Sequence, residues 1–89
     1  MSIENNNIEF YKILFGKNLK KIRESKKMTQ FDLATAMNNL SSSSFIEKTS
    51  ISRIENGRTN ITLSTAIKLS LALEIDLKIL FEFKLENNI

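Results

Sequence analysis

The chain predicts an all-α fold, a compact five-helix bundle. Three observations point there. Proline is absent and glycine occurs only at positions 16 and 57; Ile, Leu, Lys, Ser, Asn and Glu dominate the rest, and Leu, Lys and Glu among them are good helix formers. Apolar residues recur at spacings of three and four along most of the chain, the period of a helix buried on one side.

From Ile8 to Lys26, Phe15, Leu19 and Ile22 form one stripe, with Lys17, Lys20, Lys21 and Glu24 between them, which predicts an amphipathic first helix. It should end near Ser25 to Lys27, where basic side chains suit the negative end of the helix dipole, and Met28 then turns into the core. Thr29 is a good N-cap for a second helix, Asp32 supplies a first-turn carboxylate, and Leu33, Ala34 and Met37 form the buried side. Asn39 and Leu40 open a serine-rich stretch to Ser44 whose side chains compete for backbone hydrogen bonds, so 39–44 is expected to be a surface loop.

Periodicity resumes at Ile51 and Ile54, predicting a third helix over 48–56 with Gly57 following as a C-cap able to take positive φ. Its other side carries Lys48, Thr49, Ser52 and Arg53, all hydrogen-bond donors. Thr62 should cap a fourth helix through Leu73, buried along Leu63, Ala66, Ile67, Ser70 and Leu73, and Asp76 a fifth over 77–83. Leu69 and Leu71 fall off the fourth helix's stripe, and Ile79, Phe81, Phe83 and Leu85 cannot all face one small core. Surplus apolar surface of that kind marks an interface, and Leu71, Ile79, Phe81 and Phe83 are the expected contacts of a homodimer.

Length and composition bound the function. With 89 residues, 42% hydrophobic and 26% charged, the chain is long enough for one globular domain, 1–89, with 1–9 expected to be flexible and 84–89 a tail. Without cysteine or histidine it offers no thiolate or imidazole ligand, no Cys or Ser/His nucleophilic machinery and no disulfide. No paired-carboxylate or phosphate-loop spacing occurs either, so the expectation is a non-enzyme with no metal and no cofactor. The longest apolar runs are three residues, such as Ile79-Leu80-Phe81, far below the roughly 20 that span a bilayer. The amino-terminal residues lack the basic start and apolar stretch of a secretory signal. A cytoplasmic location and no membrane partner are expected.

The net charge of +3 is unevenly placed. Residues 11–30 hold Lys12, Lys17, Lys20, Lys21, Arg23, Lys26 and Lys27 against Glu24 alone, whereas 61–89 are slightly acidic. A basic cluster attracts a polyanion, although lysines also simply solvate a helix face.

The order of a basic helix, Thr29-Gln30-x-x-Leu33-Ala34, a connection, and Ile51-Ser52-Arg53-Ile54-Glu55-Asn56-Gly57 resembles the helix-turn-helix of the phage-repressor and Cro-like family of bacterial DNA-binding proteins, over about residues 13–82. The resemblance implies a lambda-repressor-like fold and double-stranded DNA as partner. It places Lys48, Thr49, Ser52 and Arg53 at base edges in the major groove, which admits one α-helix. Arg53 is the foremost of these, because its planar fork matches guanine O6 and N7. Thr29, Gln30, Asn56, Arg58 and Asn60 fall at the family's phosphate contacts, and Arg23 and Glu55 at a structural ion pair tying the first helix to the third.

Between Met37 and Ile46 the chain is longer than the family's usual turn. If the second helix continues to Leu40, or Phe45 and Ile46 begin the third, the first base-reading position could move from Lys48 to Glu47 or Thr49. The reading that results is a dimeric transcriptional regulator, an activator or a repressor, on a roughly palindromic operator, in the style of restriction-modification controllers and phage repressors, with no small-molecule effector. The alternative is an antitoxin-type module whose apolar carboxy-terminal segment grips a protein partner, with DNA binding secondary.

Overall fold

A computed structural model of the chain describes residues 7–40 and 44–84. Within them lie four α-helices, α1 (Ile8–Ser25), α2 (Gln30–Leu40), α3 (Lys48–Glu55) and α4 (Leu63–Leu73), then a 3₁₀ helix over Leu77–Phe81. Among the described residues there is no strand, and no helix is long and apolar enough to cross a membrane.

Side-chain caps set most of the helix starts. The Asn7 carboxamide oxygen accepts the Phe10 N–H at 3.0 Å, so residues 8 and 9, expected to be flexible, belong to α1. Residues 1–6, the remainder of that expectation, lie outside the described part, as do 85–89 of the expected tail, Leu85 included. Thr29 Oγ1 accepts from the Asp32 N–H while the Asp32 carboxylate accepts from the Thr29 N–H, both at 2.9 Å. This reciprocal box satisfies two donors at the start of α2. Thr62 Oγ1 accepts from the Thr65 N–H at 3.1 Å and starts α4.

Three helices end the same way. At α1 the Met28 N–H reaches back to the Arg23 carbonyl and the Lys27 N–H to Glu24; at α3 Arg58 reaches Arg53 and Gly57 reaches Ile54; at α4 Ile75 reaches Ser70 and Glu74 reaches Leu71. Each Schellman turn needs one left-handed residue. Gly57 provides it after α3 (φ 70°), but Lys27 (φ 60°) and Glu74 (φ 58°) take the same conformation with a Cβ.

The core gathers Phe15 and Leu19 from α1, Leu33, Ala34 and Met37 from α2, Ile51 and Ile54 from α3, Leu69 and Leu73 from α4, and Leu80. α2 packs on both α3 and α4, and α1 on α3 and the 3₁₀ helix. The fourth helix corrects the sequence expectation. Its buried stripe is Ala66, Leu69, Ser70 and Leu73, and Leu63 and Ile67 are exposed. The observed set is a regular three-four repeat on a helix that packs against α2, and Leu69 within it has no exposed surface.

The expected fifth helix is likewise corrected: it is a 3₁₀ helix that stops at Phe81, and Asp76 precedes it without a side-chain capping bond. Asn18, in the middle of α1, donates its side-chain amide to the carbonyls of Ile79 (2.9 Å) and Leu80 (2.8 Å). In an α-helix those carbonyls would accept from four residues onward; here Asn18 supplies a donor to each, and Ile79 also accepts the Glu82 N–H three residues on at 3.2 Å, a 3₁₀ closure.

The expected loop after α2 begins later than Asn39, because α2 runs to Leu40. Ser41, Ser42 and Ser43 lie outside the described residues. The connection is closed at its base by Asn38, whose carboxamide donates to the Ile46 carbonyl (2.8 Å) and accepts from the Ile46 N–H (2.9 Å). The paired groups imitate a backbone bridge between the end of α2 and the approach to α3.

Candidate nucleic-acid interface

α3 is short and two-sided. Ile51, Ile54 and Glu55 are buried, while Lys48, Thr49 and Arg53 are exposed and Ser52 is half-buried. At 100° per residue, positions 48, 49, 52 and 53 share the flank turned away from the core. The helix begins at Lys48, with Glu47 as its extended N-cap residue; the longer α2, which reaches Leu40, leaves that start where the apolar spacing of Ile51 and Ile54 put it.

One carboxylate fixes the angle of this helix. Glu55 Oε2 accepts from Arg23 Nε at 2.6 Å, and Oε1 accepts from Arg23 Nη2 and from Gln30 Nε2, each at 3.0 Å. Arg23 Nη1 donates to the Met28 carbonyl at 2.8 Å. Arg23 and Glu55 are each 6% exposed, so the two-pronged bond is made away from water, where it is strong and where losing either partner is costly. Donating hydrogen bonds to the Glu55 carboxylate holds the Arg23 guanidinium above its ordinary value; burial pulls the other way, and the nearby charges of Glu55 and Glu24 add to the rise. α1, the start of α2 and the end of α3 thus meet at a single group.

The approach of α1 to α3 depends on the chain's two glycines. A Cβ at Gly16 would lie against the carbonyl oxygens of Glu55 and Ile54, 2.5 Å from the latter, and one at Gly57 would lie 2.8 Å from Ile13 Cγ1. Both hydrogens therefore face the same helix crossing. The only sequence signal for Gly16 is its presence inside an otherwise good helix.

Around α3 stand the remaining polar residues. Thr29 is exposed at the start of α2, and Gln30 beside it is half-buried because its amide is turned to Glu55. A carboxamide nitrogen carries two hydrogens, so one Gln30 N–H remains for a second acceptor. After α3, the Asn56 carboxamide donates to the Ser52 carbonyl at 2.9 Å, and Arg58 and Asn60 are exposed in the following loop. Arg53 and Arg58 make no ion pair with a described acidic residue. The structure therefore brings Lys48, Thr49 and Arg53 onto one open flank, with Thr29 and Gln30 before it in the chain and Asn56, Arg58 and Asn60 after. Chemically this is a surface of donors suited to an anionic, acceptor-rich partner. Among the described residues no three His, Cys, Asp or Glu side chains gather to hold a metal ion.

The four residues expected at a dimer contact do not share one setting. Phe81 is exposed and stacks at a tilt on Phe15, ring centroids 5.2 Å apart. Phe83 is half-buried against the core, Ile79 is half-buried with its carbonyl held by Asn18, and Leu71 is exposed on α4. Phe81 and Phe83 line an open apolar groove of about 430 Å³ with Ile8, Tyr11, Phe15 and Leu63; Leu71 and Ile79 are not in its walls.

With this geometry in place, the comparisons with known proteins are direct. The helix-turn-helix family model matches residues 19–80. Among solved structures, the crystal structure of the restriction-modification controller protein C.AhdI from Aeromonas hydrophila is similar, with a TM-score of 0.74 and 25% sequence identity, over 84% of this chain and 99% of that one. No curated protein matches the sequence.

Proposed function

Because the chain belongs to the helix-turn-helix family and is a DNA-binding transcriptional regulator, we propose that it acts as a homodimer on a roughly palindromic operator and reads sequence by laying α3 in the major groove. The observation that carries this reading is the exposed Lys48, Thr49 and Arg53 flank, backed by a buried stripe and fixed in angle by the Arg23–Glu55 pair. A reading surface has to be rigid as well as exposed, since a bidentate base contact is lost when the helix rocks.

In this reading Arg53 takes guanine O6 and N7, Lys48 a second guanine, Thr49 the thymine methyl or an acceptor edge, and Ser52 permits close approach. Thr29, Gln30, Asn56, Arg58 and Asn60 hold phosphates on either side of the groove and set the register without reading sequence. The second N–H of Gln30 makes that side chain a bridge between a phosphate and Glu55. In a symmetric dimer the two copies of α3 fall about 34 Å apart, one helical turn of DNA. The likeness to a restriction-modification controller supports a controller of that kind.

The test is selection of bound DNA from a random pool by the parent, Arg53→Ala and Arg58→Ala. Arg53→Ala should relax preference at one position of each half-site. Arg58→Ala should weaken all sequences evenly and reduce the log–log salt slope by about 1. Unchanged preference and affinity in both variants would overturn the reading.

The apolar groove bearing Phe81 and Phe83 favours a second use, an antitoxin-type module that grips a protein partner there. Sedimentation of the pure protein separates the two: a dimer broken by Phe81→Glu supports the homodimer, and a monomer that binds a co-expressed neighbour-gene product through the same face supports the second use.

A further inference from the structure

Resting on the reading that α3 enters the major groove, we propose that Glu47, the residue immediately before α3, is a specificity-determining residue that selects cytosine. Glu47 occupies the N-cap position with extended backbone (φ −107°, ψ 163°), yet its side chain makes no capping bond. Helix starts are ordinarily closed by Ser, Thr, Asp or Asn, whose short side chains reach the N–H groups of the first turn. The glutamate makes no such side-chain bond, and its carboxylate is exposed and turned toward Thr49. Oε1 lies 3.5 Å from Thr49 Oγ1, a separation too long for a strong hydrogen bond but one that places the carboxylate on the flank shared by Thr49 and Arg53.

A carboxylate on that flank is not neutral toward DNA. The positive end of α3 tolerates it in the free protein, but among phosphates it is repelled unless it accepts a hydrogen bond from the duplex. The major-groove edges leave one good partner. Guanine shows two acceptors, thymine an acceptor and a methyl, and adenine a donor beside the acceptor N7; cytosine shows only the N4 amino donor. An acceptor-only side chain therefore gains at cytosine and is penalised elsewhere, most strongly at guanine. Lys48 at the start of α3 and Arg53 in its last turn favour guanine through the opposite logic, so the helix with its N-cap residue carries both halves of a donor–acceptor code.

The backbone of Glu47 does the structural work at this position: its carbonyl accepts the Ser50 N–H at 2.9 Å and the Ile51 N–H at 3.3 Å. The exposed side chain can be changed without touching those bonds. Random-pool selection is run on the full-length parent, Glu47→Ala, Glu47→Gln and Arg53→Ala, with circular dichroism confirming that each is folded. The parent should prefer cytosine at one half-site position by on the order of tenfold. Glu47→Ala should abolish that preference and leave the others, and Glu47→Gln should move it toward adenine, whose N6 and N7 match a carboxamide. If Glu47→Ala tightens binding evenly on all sequences and changes no position, the carboxylate only repels phosphate and the inference is wrong. If Arg53→Ala also changes no position, α3 does not read the groove and the underlying reading fails instead.

Discussion

Replacing Gly16 by alanine sets two physical effects against each other. On a solvent-facing helix the change would stabilise by about 1 kcal/mol, since glycine is the worse helix former. At Gly16 the added Cβ meets the carbonyl oxygens of Ile54 and Glu55, the former at 2.5 Å. A carbon–oxygen contact is comfortable at about 3.3 Å or more, so α1 and α3 must part by nearly 1 Å. Both colliding groups are backbone, so no rotamer change relieves them, and the cost belongs at the upper end of the 1–3 kcal/mol typical of overpacking. Net destabilisation of about 2 kcal/mol follows, a fall in melting temperature of about 8–16 °C for a domain of this size. Arg23 lies two turns further along the same face of α1, so the parting also stretches its bonds to Glu55 and lowers operator affinity. Thermal and urea unfolding followed by circular dichroism measure the first effect and a fluorescence-anisotropy titration the second. A Gly16→Ala protein that melts at or above the parent would show that the helix crossing is not the close contact described.

Three further outcomes follow from particular contacts. Arg23→Ala should cost about 3–5 kcal/mol in urea unfolding by leaving the Glu55 carboxylate buried with only Gln30 as partner. Because the Arg23 value is raised above ordinary arginine, its stabilisation is fully present below the unfolded value and lost only as pH rises through the folded one, in strong alkali; the penalty should therefore stay constant between about pH 7 and about pH 10. Lys27→Gly, at a left-handed position closing α1, should raise stability by about 0.5 kcal/mol, the relief of the Cβ penalty outweighing the added freedom of the unfolded chain; a lower melting temperature would refute it. Asn38→Ala should cost about 1–3 kcal/mol because both Ile46 backbone groups lose their partner, read as an earlier urea midpoint.

The parts of this fold visible in the sequence are those governed by neighbours along the chain. Thr29, Thr62 and Gly57 mark helix ends because a cap acts over three or four residues, and the bounds of α3 follow from Ile51, Ile54 and Gly57. The bidentate contact between Arg23 and Glu55 matches an expectation drawn from family resemblance, not from spacing. What the sequence hides depends on distant partners. Gly16 takes its meaning from two carbonyls on α3, and Asn18 from two on the last turn, more than sixty residues away. The sequence puts Leu63 and Ile67 on the buried stripe of α4 and Leu69 off it, the reverse of what the structure shows; the three are equally apolar, and the packing of α4 on its neighbours decides which is covered. Leu40 belongs to α2 although serines follow it: the stop is set where Asn38 turns back to Ile46. Gln30 reads as a phosphate contact from its place in the motif; its bond to Glu55 was hidden for the same long-range reason.

Asn38 ties the end of α2 to Ile46 and so fixes where the connection rejoins the fold. Lengthening a tied segment costs only about 0.6 kcal/mol for each doubling, and both Ile46 backbone groups are bonded to Asn38 at the end of α2, two residues before α3 begins. Sequence could be added or exchanged there while α3 keeps its start and presents the same exposed flank. This makes the junction a natural graft site, where a lineage or an engineer can append a new contact without having to re-teach the protein its address.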